Sequence, residues 1–598
     1  MAPSKVQVRG SLMSSLWTIP KNRKSVLINT TAVVRIEAPK LTKNRASIDL
    51  VAVLNISTKL TASVLGHLKK AMKFVIAQLD NGDCLYIVAF DNSRSDYTTE
   101  IIKISSEGRE SAEKMVDGIV AGEHTGSISG VKHAVKILED RPDKTRQGFV
   151  MLVSDGSDTR KSESFSESKA KAVKGKGKAK AAKGKGNTST SDLGRYPVHT
   201  MGLGKDHDPK ELLLIAQESK GTYSSITEDL NSKIMEAFVI CLAGLKSIVA
   251  VDTCINVKNQ SSLIEAVGLK AFDSTDDWKD DELDIELGVL YAGEVKDSIF
   301  DVHFYAPKWE GNLSINMLTA TVSYTDVQSK LSKAVTVTEQ CNLEIRFYAG
   351  KYVKYCRSEL TPFPMVLPQM ARMKVLNKFS RDKLEKEVAQ IKKQGTCDDP
   401  TTLQMSLGKR LQQMWADHKK TEDYSSVWTE AHRIGADMLL EHIDNDIDAI
   451  LSCLERGSGL GCVYSWLLTY ETQRAAYTGL PAATVFLTPA MKKMLQEAQQ
   501  KLAVVVPEED ATAASSAASS QKLAPPVSHL VDALEQFVKS VLEKSGGAGA
   551  APGPNDAAGP GKPAAGGGGE PTHGNSEAPD EAEASKTPAA ATNIQLPE

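Results

Sequence analysis

The chain has 598 residues, with 72 Lys and Arg against 75 Asp and Glu and a formal charge of −3. Such a length exceeds what one hydrophobic core serves, so roughly two to four domains are expected. The near-neutral balance argues against a global field drawing the protein to nucleic acid. The eight cysteines, Cys84, Cys241, Cys254, Cys341, Cys356, Cys397, Cys453 and Cys462, include no CxxC pair, which argues against zinc ribbons and RING-type frameworks and fits a reducing compartment.

Residues 1–45 read as an N-terminal extension. Their start, "MAPSKVQVRGSLMSSLWTIPKNRK", has no signal-peptide core, and no run reaches the ~18 apolar residues of a membrane span. A soluble chain is expected, cytoplasmic and, if a basic loop acts as a targeting signal, nuclear.

Residues 46–245 alternate strand and helix. "IDLVAVLN" (48–55) is a buried strand by its β-branched run. Leu65, Leu68, Met72, Val75, Ile76 and Leu79 then recur at helical spacing. "NGD" turns the chain into "CLYIVAF", a second buried strand, and "EIIKIS" is a shorter one. Helices are expected near Arg109–Val120 and Ser127–Glu139, then strands at "GFVMLVSDG" and "YPVHTMGLG". In "KDHDPKELLLIAQ", Asp208 suits an N-cap, Pro209 the first helical position and Glu211 a capping box. His207 beside it reads as a loop histidine next to that cap. Repeated strand–helix–strand order implies an α/β doubly wound parallel sheet with helices on both faces.

Within this domain, 160–194 breaks the order. Lys169, Lys171, Lys174, Lys176, Lys178, Lys180, Lys183 and Lys185 stand there without an acid in "SKAKAVKGKGKAKAAKGKG". The stretch cannot bury a core and is expected to be disordered. It is either a solvated loop or a nuclear-targeting or polyanion-binding patch, and nucleic acid would be met only through it.

Residues 246–356 alternate as half-buried antiparallel strands, for example "DSIFDVHFYAP", "LTATVSYTD" and "KAVTVTEQCNLEIRF", so a β-sandwich-like domain is expected. Cys341-Asn342 falls in this pattern as core. Residues 364–505 carry helical patterns and read as a helical domain. From 507 to 598 the chain is Ala-, Ser-, Gly- and Pro-rich and reads as a disordered tail. Inside it, Val527, Leu530, Val531, Leu534, Phe537, Val538, Val541 and Leu542 form the stripe of an amphipathic helix, 527–544. Such a helix is marginal alone and would dock on a partner, on itself or on the helical domain.

Polar residues collect at the strand ends of the first domain: Asn55, Ser57 and Lys59 after the first strand, Thr125 in "GEHTGS", and Asp155 in "LVSDG". In a doubly wound sheet such loops converge at the carboxyl edge. This constellation resembles the von Willebrand factor A domain. The resemblance implies an Asp-x-Ser-x-Ser loop, a Thr and a further Asp around a divalent cation, an array that suits Mg²⁺. Asn55 matches the first Asp, Ser57 the first Ser, Lys59 the second Ser, and Thr125 and Asp155 the remaining two. Two departures alter the chemistry. Asn55 lacks the charge, and Lys59 replaces a ligand with an ammonium. At ~4 Å that ammonium would repel a divalent ion by up to roughly 8 kcal/mol at an effective dielectric of ~20. No metal and no other cofactor is therefore expected, Mg²⁺ included, and Lys59 is expected to neutralise Asp155 instead.

The likeness extends to the plant family of A-domain proteins related to RING ubiquitin ligases of root growth. It rests on "YPVHTMGLGKDHDPKELLLIAQESKGTYSSI", "ELDIELGVLYAGEVKDSIFDVHF" and "LGCVYSWLLTYETQRAAYTGLPAATVFLTPAMKKMLQEAQ". In that family the RING lies upstream of the A domain, whereas the first 45 residues here hold no cysteine, so ligase activity is not carried over. Asp155, Lys59 and His124 are the titratable candidates near the sheet edge, and they lack a nucleophile–base pair. The expectation is a non-enzymatic interaction protein that meets a protein partner through Ser57, Thr125 and Asp155. The alternative is an accessory or substrate-recruiting partner in ubiquitination, acting by association with RING-bearing relatives.

Overall fold

A computed structural model describes residues 5–12, 16–18, 25–40, 45–91, 94–98, 101–121, 127–156, 195–261, 267–271, 281–307, 313–327, 335–348, 352–354, 363–394, 400–421, 424–425, 429, 438–456, 459–480 and 485–504. The chain divides into two units, Met1–Pro507 and Glu508–Glu598. The Lys-rich stretch 160–194, Thr125 and the tail with its expected helix 527–544 lie outside the described residues.

In chain order the first unit runs β1 (Gln7–Leu12), β2 (Leu16–Thr18), β3 (Ser25–Glu37), β4 (Ile48–Asn55), α1 (Ala62–Gln78), β5 (Cys84–Asp91), β6 (Arg94–Thr98), β7 (Ile102–Lys103), α2 (Ser106–Asp117), α3 (Ser127–Asp140), β8 (Gln147–Ser154), β9 (Val198–Leu203), α4 (Pro209–Glu218), β10 (Tyr223–Ile226) and α5 (Leu230–Leu245). It continues through β11 (Ile248–Asn259), β12 (Val267–Ala271), β13 (Glu282–Tyr291), β14 (Val295–Pro307), β15 (Leu313–Asp326), β16 (Val335–Tyr348) and β17 (Tyr352–Lys354). The helices α6 (Phe363–Lys378), α7 (Arg381–Lys393), α8 (Pro400–Lys419), α9 (Met438–Glu455), α10 (Leu460–Thr472) and α11 (Pro489–Val504) complete it.

The first sheet is ordered β10-β9-β8-β4-β5-β6, with β7 also on β5. Its pairs from β10 to β5 are parallel, and β6 and β7 pair antiparallel with β5. Every residue of β4 is buried, as a strand covered on both faces requires. Leu50, Ala52 and Leu54 pack towards α1, α2 and α5, with Leu68, Met72, Val116 and Phe238 among their neighbours. Val51 and Val53 share a second core with Val131 and Leu138 of α3 and with Leu212 of α4. That second core also contains Leu411 and Trp415 of α8, Ile447 of α9 and Trp466 of α10. The helical segment thus caps one face of the parallel sheet.

The remaining strands form two antiparallel sheets, β1-β3-β14-β12 and β13-β11-β15-β16-β17-β2. Val34, Ile36, Phe300 and Phe304 of one share a core with Val257, Leu290, Leu318 and Val322 of the other, which makes a sandwich. Residues 1–45, expected as an extension, supply β1, β2 and β3 to it. β3 pairs with β14 from Val295↔Glu37 to Pro307↔Ser25.

Candidate functional site

β4 and β8 lie side by side in parallel, with Asn55 in register with Ser154. Their chain exits therefore emerge together at the carboxyl edge of the sheet. After Asn55 the chain turns, Leu60 N–H bonding Ser57 C=O at 3.1 Å. Thr61 then caps α1 by accepting from Val64 N–H at 3.3 Å. After Ser154 comes Asp155.

The two exits are clamped to each other. Ser57 N–H donates to Asp155 Oδ1 at 2.8 Å, and the Ser57 hydroxyl donates to Oδ2 at 2.9 Å. The Ser57 oxygen in turn accepts the Lys59 N–H at 3.2 Å. Asn55 Nδ2 reaches Ser127 Oγ, at the start of α3, at 3.5 Å. Asn55, Ser57 and Asp155 are 2%, 5% and 5% exposed, so they act beneath the surface. Thr58 and Lys59 are exposed above them.

The structure thus brings Asn55, Ser57 and Asp155 together as the sequence places them. It does not seat Lys59 on Asp155: among the described residues Lys59 makes no ion pair with it. Hydrogen bonds from Ser57 to both carboxylate oxygens hold Asp155, as a buried anion requires. Ser127 is a neighbour that sequence reasoning passed over, although its place at the head of an expected helix was visible. Among the described residues, no group of three or more His, Cys, Asp or Glu side chains could hold a metal. Around the Ser57–Asp155 clamp, one carboxylate would face two positive charges of a divalent ion.

His207 is a structural residue. It is buried, with Nδ1 2.6 Å from Gly204 O and Nε2 2.6 Å from Tyr223 Oη. This pattern suits a neutral ring donating from Nδ1 and accepting the tyrosine O–H. Burial lowers its pKa further. Asp208 caps α4 by accepting from Lys210 N–H at 2.9 Å and Glu211 N–H at 3.1 Å. Cys341 is half-buried in β16, and burial pushes its thiol up to about 11.

A family model described as von Willebrand factor type A domain matches residues 48–225. E3 ubiquitin-protein ligase WAV3 of Arabidopsis thaliana is 30% identical over 112 residues, covering 19% of this chain and 15% of that protein. Probable E3 ubiquitin-protein ligase WAVH2 of the same plant is 37% identical over 119 residues, covering 19% of this chain and 16% of that protein. The matched stretches therefore span about a sixth of these relatives' own length. Among solved structures, the von Willebrand factor type A protein from Catenulispora acidiphila aligns at 15% identity with a TM-score of 0.43, over 71% of this chain and 89% of that one. Residues 48–225 are a von Willebrand factor type A domain, in a chain related over part of its length to these plant proteins.

Proposed function

We propose that the chain is a non-enzymatic protein–protein interaction protein whose A domain carries a degenerate metal site and meets its partner without a cation. The observation that carries this reading is the clamp: Ser57 gives both its N–H and its hydroxyl to Asp155. The carboxylate is satisfied inside the chain, and Asn55 and Lys59 stand where the A-domain pattern has Asp and Ser. In this reading Ser57 and Asp155 fix the loop, Thr125 stays a proposed partner contact, and exposed Lys59 offers a positive charge to an acidic group of the partner. The fold contributes rigid support, since interaction loops work best on a packed scaffold. Among the described residues no helix is long and apolar enough to cross a membrane. A cytoplasmic setting, with nuclear access through the Lys-rich stretch, is part of the proposal.

Calorimetric titration of Mg²⁺ into the full chain tests the cation-free claim. No binding heat is expected at millimolar Mg²⁺. The double substitution Asn55→Asp with Lys59→Ser should create measurable affinity. Tight binding by the unsubstituted chain overturns the reading.

The similarity to proteins named E3 ubiquitin-protein ligases favours a second reading, in which this chain recruits substrates for RING-bearing relatives. A reconstituted ubiquitination reaction should then stay silent with this chain alone and gain a new substrate when it is added to such a relative. Chains formed by this protein alone would count against both readings.

A further inference from the structure

Beside the carboxyl end of β10 lies a pair of thiols that the reading above does not use. Cys453 is in the last turn of α9 and Cys462 in the first turn of α10, and both are buried, at 8% and 3% exposure. The two side chains shift each other's ionisation. Arg456, just past α9, holds Nη2 3.3 Å from Cys453 Sγ, and its Nε faces Glu228 at 3.4 Å. Thr227 Oγ1 stands 3.9 Å from Cys462 Sγ. The chain turns back tightly here: a Cβ on Gly459 would lie 2.5 Å from Leu454 N and 2.8 Å from the Cys453 carbonyl carbon. Only glycine lets the start of α10 come this close to the end of α9.

The setting distinguishes Cys453 from the other described thiols. The neighbouring Cys462 holds Cys453 below the ordinary thiol range; burial opposes this and the Arg456 charge adds to it. The neighbouring Cys453, with burial, holds Cys462 well above that range. One thiolate-prone sulfur beside a protonated one is the arrangement in which an attacking and a resolving cysteine differ. Burial pushes Cys84 up to about 11 and Cys241 up to about 12.

We infer that Cys453 and Cys462 are an oxidisable dithiol, a modification site that takes hydrogen peroxide and closes an intrachain disulfide between α9 and α10. The Cys453 thiolate attacks one peroxide oxygen. The S–O bond forms, the O–O bond breaks, and the leaving hydroxide takes a proton to become water. Sulfur has lost two electrons and peroxide has gained them. The Cys462 sulfur then attacks the sulfenic sulfur, the S–S bond forms, and the S–O bond breaks. The hydroxyl leaves with the Cys462 proton as a second water. Two thiols and one peroxide give one disulfide and two waters. Thr227 stands on one sulfur and its neighbour Glu228 on the arginine that reaches the other, so the pair lies in one cluster from which side-chain rotation and a small approach reach bonding geometry.

The test uses the full chain, reduced, desalted and treated with graded hydrogen peroxide. Free thiols are then alkylated, and the digest is mapped by mass spectrometry. A peptide pair joining Cys453 to Cys462, reversed by dithiothreitol, is expected at doses that leave Cys84 and Cys241 as thiols. Stable sulfinic acid on Cys453 with Cys462 still reduced overturns the proposal. So does a dose that oxidises half-buried Cys254 while leaving the pair untouched. In Cys462→Ser, Cys453 should stop at sulfenic acid and be trapped by dimedone. Should that variant misfold, the mapping of the unsubstituted chain still decides. Arg456→Gln should slow the peroxide reaction of Cys453 about threefold to tenfold near neutral pH, and an unchanged rate overturns the role given to Arg456.

Discussion

His199 sits in β9 at 2% exposure, its Nδ1 2.9 Å from Thr222 Oγ1 and its Nε2 without a hydrogen-bond partner among the described residues. Burial, and after it the Arg474 charge, lower its pKa to about 3. The folded chain therefore keeps this ring neutral while the unfolded chain protonates it below about 6.5. Above that pH both states are neutral and His199 contributes no pH dependence. As pH falls from about 6.5 towards 3, the unfolded state binds the extra proton and stability is lost. Between pH 7 and pH 5 the loss from this one group is roughly 2 kcal/mol, readable by urea unfolding at the two pH values. His199→Gln should remove most of that difference; an undiminished difference would assign the acid sensitivity elsewhere, with buried His207, also shifted down, as the next candidate. The sequence exposed Asn55, Ser57 and Asp155 because each ends a strand or follows one. It did not expose which donor Asp155 would take. Residue type says that a lysine is near; side-chain direction says that it faces water, and only the packed fold sets that direction. His199 was equally hidden, since an isolated histidine in a strand pattern gives no sign of total burial.

Buried parallel strands announce themselves: β5 and β8 were legible as apolar runs and β4 as one interrupted only by Asp49 before its final Asn55, while β9 carries His199 and Thr200 between its apolar residues. The head of α4 was legible too, because Asp208 and Pro209 carry the chemistry of a helix start locally, a cap contributing about 1 kcal/mol. α2 was expected from Arg109 but begins at Ser106, where Ser105 accepts the Gly108 N–H at 3.0 Å. The capping serine, rather than the first apolar residue, sets that boundary. β3 was missed for a different reason. "SVLINTTAVVRIE" is rich in β-branched residues, so its strand character was available. Its partner β14 lies more than two hundred residues along the chain, and no local pattern encodes a pairing at that distance. β10 is four residues long, with Ser224 and Ser225 at its centre, too short and too polar for periodicity to register.

Texture divides the first unit into three stretches, but burial does not respect the division. Between β13 and β14, Glu294 is 4% exposed and accepts Arg474 Nε at 3.0 Å and the Tyr291 N–H at 3.0 Å, with Lys296 Nζ 3.2 Å away. Lys296 also donates to Thr472 C=O at 2.6 Å. Next to it, Asp297 accepts Arg35 through two bonds of 2.7 Å and Gln369 through another of 2.7 Å. One buried cluster thus joins β3 and β14 of the sandwich, α6, and the segment that follows α10. The Coulombic gain of such a cluster roughly offsets its desolvation, but removing one partner strands the others. Glu294→Ala leaves Arg474 and Lys296 as two buried cations without their anion, which costs about 3–5 kcal/mol. Glu294→Gln, which keeps an acceptor for the Tyr291 N–H, should cost less. Tryptophan fluorescence in urea reports the helical layer through Trp415 and Trp466 once Trp17, Trp278, Trp309 and Trp428 are replaced by Phe, and amide exchange reports β11 and β14. In Glu294→Ala both reports should move together, because the cluster binds the layers into one cooperative body. A fluorescence transition that shifts while exchange in β14 stays unchanged would show that the sandwich and the helical layer unfold independently, and the joining role would be lost.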